Sequence, residues 1–463
     1  MKKSALYISF IVFIFTVLAI SGPGCANIIP PTGGPRDSLP PVLVGAAPKD
    51  STLNFRGKRI TLTFNEYVDL QEVQQNLLFN PLFETVPEVS VKLKTINVRL
   101  RDSLLPNTTY TFNFGNAIRD INEGNPFANF TYTFSTGPFL DSLELSGSVL
   151  LAQSGQVDTT ITVVLHVDRT DSAVVKQRPR YATKLDSAGR FTFRNLPRDT
   201  FAIYALGDAG TLRRYTSPRQ YFAFADSPVV SGRKDPLTLY AYREEEEQKK
   251  TPTAPAGGKA GDKRLRMNYE QGAQDLLQDF LLTFERPLRT FDSTKMRLTT
   301  DTVFTPVPNY SVTLDSSRKQ LRLKTAWKEG ADYNLIVDKD FAEDTLGRKL
   351  LKTDTLNFTT KSQKDYGGIR IRVRNVDTTQ QPVLLFVQNE AVVFSTSVKS
   401  GQFAQNLFVP GEYELRILFD RNGNGKWDPG QFFGPKKQPE LVRPTGQTIN
   451  VKAGIRNDIN LSL

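Results

Sequence analysis

ITLTFNEYVDL at residues 60–70 and LLPNTTYTFNFGNAIRDINEGNPFANFTYTFSTG at 104–137 decide the reading of this chain. Apolar and polar residues alternate in Ile60-Thr61-Leu62-Thr63-Phe64. The same period recurs in Val89-Ser90-Val91-Lys92-Leu93, Tyr110-Thr111-Phe112-Asn113-Phe114 and Tyr132-Thr133-Phe134-Ser135. A period of two sends every second side chain to one face of a strand. Thr, Val, Ile, Phe and Tyr suit such a half-buried surface. Pro106-Asn107 and Glu123-Gly124-Asn125-Pro126 interrupt the pattern as turns. One apolar face per strand predicts antiparallel sheets packed face to face, an all-β sandwich.

The two runs resemble the bacterial Ig-like domain of S-layer-type proteins. The residues that carry the resemblance are Phe64 and Glu66 at the end of a strand, Thr108 and Tyr110 opening another, Asp120 in a late loop, and Phe134-Ser135-Thr136 closing the domain. It spans 41–137 and implies a fold, not an activity. Glu66 and Asp120 could also be read as a carboxylate pair for acid–base chemistry. The family pattern accounts for both as loop and turn residues.

A second module is expected at 138–243. Gly189-Arg190-Phe191-Thr192-Phe193 leads through Asn195-Leu196-Pro197 into Phe201-Ala202-Ile203-Tyr204. This resembles a transthyretin-like or carboxypeptidase-regulatory β-sandwich, which implies a rigid spacer or binding platform. Residues 244–262 hold four consecutive glutamates followed by Lys, Pro, Gly and Ala, the composition of a disordered linker and hinge. The plan then repeats. Phe280 to Glu285 parallels Leu62 to Glu66, Asp344 parallels Asp120, and Phe358-Thr359-Thr360 parallels Phe134-Ser135-Thr136. The expectation is a second Ig-like β-sandwich at 263–361 and a second transthyretin-like one at 362–463, that is, tandem β-sandwich domains.

The N-terminus fits an exported protein. Met1-Lys2-Lys3 precedes the apolar run Ala5–Ile20, and small residues lead to Cys25, the only cysteine. Residues 1–24 read as a signal peptide, and the apolar run is short for a membrane span, which needs about 20 residues. The region resembles a lipobox, with Gly22 where Leu is usual, which implies lipidation of Cys25. The alternative is an ordinary secretory signal with an incidental cysteine. Residues 25–40 are rich in Pro and Gly and read as a tether. No acidic run follows Cys25, which favours the periplasmic face of the outer membrane over the cell surface. The chain as a whole resembles Ig-like-domain outer-membrane lipoproteins of Bacteroidota.

Composition narrows the function. Lys and Arg number 59 against 48 Asp and Glu, a formal charge of +11 that is scattered along the chain. Nucleic-acid grooves want a basic stripe interleaved with aromatics, so no nucleic acid is expected. One histidine and one cysteine leave no material for zinc sites or Ser-His and Cys-His machinery. His166, in ITVVLHVD, is expected on the solvent face of a strand. Catalytic residues and cofactors are expected to be none.

One motif resembles a ligand site. In Asp420-Arg421-Asn422-Gly423-Asn424-Gly425-Lys426-Trp427-Asp428, side-chain oxygens fall at positions 1, 3 and 5 of an EF-hand-type loop, with Gly at 6 and Asp at 9. Asp420, Asn422, Asn424, Asp428 and the Lys426 carbonyl would be the ligands of a structural calcium. Gln431 stands where a bidentate Glu belongs, and the competing reading is an Asn/Gly-rich turn. Asp-Ser and Asp-Thr pairs, among them Asp102-Ser103 and Asp344-Thr345, resemble an O-glycosylation sequon and also make Asx-turns. The functional expectation is a non-enzymatic, lipid-anchored scaffold or adaptor of the cell envelope that binds another envelope protein or complex. The alternative is a carbohydrate-binding accessory lipoprotein using Tyr215, Tyr221, Trp427 and Phe432 as exposed platforms.

Overall fold

The computed structural model describes residues 9–17, 37–207, 210, 212–244, 264–375, 377–398 and 400–462. Cys25, the tether as far as residue 36, and 245–262 of the linker lie outside the described residues. Residues 9–17 are helical, and no helix among the described residues is long and apolar enough to cross a membrane. Everything else of substance is strand, so the chain is all-β, with 34 strands among the described residues. It divides into two compact units: Met1–Phe79 with Phe83–Phe139, and Asn80–Leu82 with Leu140–Leu463. Contacts therefore thin near residue 139.

The first unit contains β1 (Leu43–Ala47), β2 (Arg59–Phe64), β3 (Val68–Leu70), β4 (Leu78–Asn80), β5 (Glu88–Lys92), β6 (Thr95–Arg99), β7 (Thr109–Gly115), β8 (Ile118–Asp120) and β9 (Phe130–Ser135). The sheets run β1-β2-β6-β5 and β4-β7-β9, with a β3-β8 pair beside them. The alternation is realised as read: Ile60, Leu62, Phe64, Tyr110, Phe112, Phe114, Tyr132 and Phe134 all point into one core.

The second unit holds three groups of packed sheets. The first uses β10 (Leu143–Leu151), β11 (Thr162–His166), β12 (Tyr181–Lys184), β13 (Arg190–Leu196), β14 (Thr200–Leu206), β15 (Phe222–Phe224), β16 (Val229–Val230) and β17 (Leu237–Ala241). The next uses β18 (Met267–Tyr269), β19 (Phe280–Phe284), β20 (Leu288–Phe291), β21 (Met296–Thr300), β22 (Thr305–Pro306), β23 (Ser311–Leu314), β24 (Gln320–Lys324), β25 (Asp332–Val337), β26 (Ala342–Asp344) and β27 (Asp354–Thr359). The last uses β28 (Gly367–Arg374), β29 (Pro382–Gln388), β30 (Ala391–Ser397), β31 (Gln402–Phe408), β32 (Gly411–Phe419), β33 (Leu441–Val451) and β34 (Arg456–Ser462).

Topology repeats between the first and last of these. In the order β13-β10-β17 the central strand is antiparallel to β13 and parallel to β17; in β31-β28-β34 the central β28 is antiparallel to β31 and parallel to β34. The opposite sheets run β12-β11-β14-β15 and β30-β29-β32-β33. The Ig-like sequence pairings recur as bonds too. The Leu105 amide donates to the Tyr110 hydroxyl, and the Lys328 amide to the Tyr333 hydroxyl. Thr136 Oγ1 accepts from Thr108 N and donates to Leu105 O, while Thr360 Oγ1 accepts from Ala331 N and donates to Lys328 O.

Candidate functional site

The chemistry-bearing residues of the second unit converge on the segment between β32 and β33. This 420–440 stretch is long for a sandwich connection, where two to six residues are common. It begins as the Asp420 motif. The Asp420 carboxylate is buried and accepts from the amides of Gly423 and Gly425 at 2.7 and 2.6 Å. Asn422 Oδ1 accepts from Asn424 N, and Asn424 Oδ1 from Lys426 N. Both Asn side-chain amides donate to Asp428 Oδ2. Gly423 and Gly425 sit at φ of 74° and 76°, the left-handed region that makes glycine the fitting residue at both places. Asp420, Asn422, Asn424 and Asp428 are thus brought together, with their side chains engaged inside the loop. Among the described residues no group of three or more His, Cys, Asp or Glu is placed to hold a metal ion.

The residue that sequence reasoning missed is Glu440. It is fully buried, and its two carboxylate oxygens accept from Arg421 N at 2.8 Å and Asp428 N at 3.1 Å, which clamps the two ends of the turn together. A buried carboxylate needs such donors. Nothing in the run Gln438-Pro439-Glu440-Leu441 marks it as buried.

Two aromatics leave this loop in different directions. Trp427 donates its indole N–H to Glu440 O at 2.7 Å and packs on Val383, Leu385, Val387, Leu418 and Val442, the outer face of its own sheet. Phe432 goes to the other module. Its ring lies 5.5 Å from Tyr204, 5.1 Å from Phe222 and 5.0 Å from Phe224, and only 1% of the residue is exposed. Gly430 lets the loop approach: a Cβ there would sit 2.6 Å from the Tyr242 ring. Polar contacts surround the plug. Lys436 Nζ meets Asp171 at 2.6 Å, and Gln438 Nε2 donates to Phe224 O and Asp226. Val442 N donates to Ala152 O at 2.8 Å. The second and fourth modules are therefore docked to each other directly.

The same contacts correct two expectations. Of the four aromatics read as an exposed glycan platform, Tyr215 and Phe432 are buried and Trp427 and Tyr221 are half-buried. Tyr215 and Phe432 do share one cluster, through Phe222, but it faces inward. His166 lies on the outward side of β11, opposite Val163 and Leu165 of the core, as the alternation requires. That side is covered, not solvated. His166 is 1% exposed, edge-on to Tyr204 at 5.7 Å, and its Nε2 has no hydrogen-bond partner among the described residues. Burial, reinforced by Arg214 and opposed by Asp168, pushes its pKa down to about 4.

In the first unit, Glu66 and Asp120 do come near each other. Partial burial, followed by the Asp120 charge, raises the Glu66 carboxyl. Asp120 is buried, which disfavours its charge, yet its pKa is lowered because the amides of Glu123, Asn125 and Gly124 donate to it. A carboxylate saturated by its own loop in this way shapes a turn. Asp344 does the same for Leu346 and Arg348 in the third module.

Residues 37–136 match the family described as bacterial Ig-like domain. No curated protein matches the chain. Among solved structures, BcpA, the major pilin subunit of Bacillus cereus, is similar at 7% identity and TM-score 0.17, over 70% of this chain and 99% of that one. The N-terminal part of the bacterial S-layer protein SbsC gives 18% and 0.15, over 40% of this chain and 43% of that one. The Bacillus anthracis TIE protein gives 10% and 0.17, over 93% and 75%. Likenesses at this level carry no argument about activity.

Proposed function

We propose that this chain is a non-enzymatic scaffold or adaptor of the cell envelope, held to a membrane by lipid on Cys25, that presents a rigid face to another envelope protein. The observation that carries the reading is the burial of Phe432 across two modules. It joins the second and fourth modules directly instead of leaving them as independent beads, which suits a presenting platform. The carboxylates that could have suggested acid–base chemistry, Asp120 and Asp420, serve their own loops' amides. The Ig-like module at 37–136 and the apolar leader before Cys25 support an envelope setting. The outer membrane and its periplasmic face belong to the same proposal.

In-cell crosslinking followed by pull-down tests it, with recovery of a defined envelope protein as the expected result. Recovery of monomer alone overturns the scaffold role. Cys25→Ser should move the chain from the membrane fraction to the soluble one, and retention of that variant in the membrane overturns the anchor. Burial of Tyr215 and Phe432 removes two of the four residues that the carbohydrate reading relied on.

A further inference from the structure

The fourth module carries a stripe of charge that its fold does not require. In β28, Ile369, Ile371 and Val373 enter the core. Period two therefore puts Arg370, Arg372 and Arg374 on the opposite face of the β31-β28-β34 sheet. Arg370 is half-buried, and Arg372 and Arg374 are exposed. Their side chains leave the strand roughly 6.8 Å apart, within a Debye length at physiological salt. Like charges so placed repel, and an outward strand face gains nothing from them.

The flanking strands do not neutralise the stripe. Register sets Ala404 and Gln402 of β31 beside Arg370 and Arg372, and Asp458, Asn460 and Ser462 of β34 beside Arg370, Arg372 and Arg374. Asp458 is the one carboxylate in the three strands. It lies 3.8 Å from both Arg370 and Arg456. Past the end of the stripe, the Asp377 carboxylate accepts from Thr379 and Gln380. Arg372 and Arg374 form no ion pair among the described residues. The face sets four arginines against a single carboxylate.

The second module shows that the topology works without such a stripe. On the same face of its β13-β10-β17 sheet the central strand presents Glu144, Ser146 and Ser148. Arg194 meets Glu144 at 3.4 Å and Arg190 meets Asp186 at 2.9 Å, so both arginines of that sheet are paired. Shape narrows what the fourth module's face can take. Gln402, Ala404, Asn460 and Ser462 flank the stripe, all exposed and none bulky, so no wall rises to make a groove. A flat cationic plane complements an anionic plane, whereas a single acidic chain is better held in a groove.

We propose that this face lies against a membrane surface rich in anionic phospholipid, with Arg370, Arg372, Arg374 and Arg456 on the headgroup phosphates. The planar guanidinium fork pairs with phosphate oxygens two at a time. Each basic residue near an anionic surface strengthens partition by about fivefold. The proposal goes beyond the scaffold reading and does not depend on lipid at Cys25. A lipid anchor and a cationic patch together hold a protein more firmly than either alone.

Vesicle sedimentation tests it, using residues 25–463 with Cys25→Ser so that neither the leader nor an acyl chain contributes. Vesicles of phosphatidylglycerol mixed equally with phosphatidylcholine should pull the protein down, and phosphatidylcholine alone should not. Salt at about 0.5 M should release it. Arg372→Gln with Arg374→Gln should weaken partition by about 30-fold, two fivefold steps. Arg190→Gln with Arg194→Gln, on the matching face of the second module, should leave it unchanged. No pull-down by the anionic vesicles overturns the proposal. So does an equal loss in the two double variants, which would make binding a matter of net charge alone. If those vesicles fail while soluble polyglutamate binds through Arg372 and Arg374, the face docks an acidic protein and the membrane assignment falls. The substituted side chains are exposed, so the variants should melt with wild type. Were the Arg372 and Arg374 pair unable to fold, Arg374→Gln alone decides, with an expected loss of about fivefold.

Discussion

The second and fourth modules share a topology and solve the same problem differently. Each has a sheet, β12-β11-β14-β15 or β30-β29-β32-β33, that is apolar on both faces. One face of each makes the core of its own sandwich. The other must be covered, because exposed apolar sheet is costly. The fourth module covers Val383, Leu385 and Leu418 with Trp427 from its own long loop. The second sets its own Tyr215 on Phe222 at 4.6 Å and borrows Phe432 to complete the cover. One loop therefore caps two faces. A module that caps itself can stand alone, whereas a module that borrows its cap is tied to the lender.

Removing the borrowed ring should have the largest effect. Phe432→Ala strips the contacts to Tyr204, Phe222 and Phe224. Deleting a buried phenylalanine costs about 3–5 kcal/mol. The expected outcome is faster amide exchange in β11, β14 and β15 with β29 and β32 unchanged. Trp427→Ala should give the reverse pattern. If Phe432→Ala left exchange in β14 untouched, the second module would not depend on its neighbour and the comparison would break.

Next is acid. His166 lies under the borrowed cap, with its pKa pushed from 6.5 to about 4 by burial. The unfolded chain then holds the extra proton between these values while the folded one does not. The stabilisation is complete above pH 6.5 and is lost as pH falls toward 4. At about 1.4 kcal/mol per unit, its ceiling is about 3 kcal/mol. Thermal melts of wild type and His166→Phe across pH 4–7 check this. The variant should flatten the slope, and an unchanged slope would assign the acid sensitivity to carboxylates elsewhere.

How much of this could be read from the residues varies with scale. Tyr110, Phe112 and Phe114 announced their strand, because period-two alternation is a local property. The Asp420 turn was equally local, since Asn and Gly dictate it within a few positions. Phe432 was not legible as a cap: Gln431-Phe432-Phe433-Gly434 reads the same whether its ring is buried or exposed. Two signals pointed toward it. Val163 to His166 and Phe201 to Leu206 abandon alternation, so those strands need cover on both sides. The loop that supplies the cover is also far longer than a turn requires. His166 was placed on the correct face of its strand and in the wrong environment, for the same reason.

The turn that aims both rings is a smaller lever. Asp420→Ala orphans the Gly423 and Gly425 amides, each worth about 1–2 kcal/mol when left unsatisfied. Differential scanning calorimetry should show a modest loss, and exchange should rise in both modules together because both caps hang from this turn. Calcium tests the competing role of the same residues. Added Ca²⁺ should leave the melting temperature of wild type unchanged, since these oxygens already bond inside the loop. A rise that follows calcium concentration and vanishes in Asp420→Ala would make the turn a metal site.

The smallest effect should come from the ionic contact at the junction. Gln156 of the second module donates to Glu390, which also pairs with the buried Arg416 at 2.9 Å. Glu390 is lowered in pKa, first by the Arg416 hydrogen bond and then by Gln156, but its side chain is 66% exposed. Solvent screens a pair of that kind to about 1 kcal/mol or less. Arg416 keeps Glu414 as a second partner when Glu390 is lost. Glu390→Gln should therefore lower the melting temperature slightly, and high salt should mimic it. Its carboxylate is retained as pH rises and is titrated only below the ordinary glutamate range, so the effect should be flat from pH 5 upward. If Glu390→Gln instead separated the modules as fully as Phe432→Ala, the junction would be electrostatic at heart. The borrowed ring would then be packing that follows docking, not the contact that causes it.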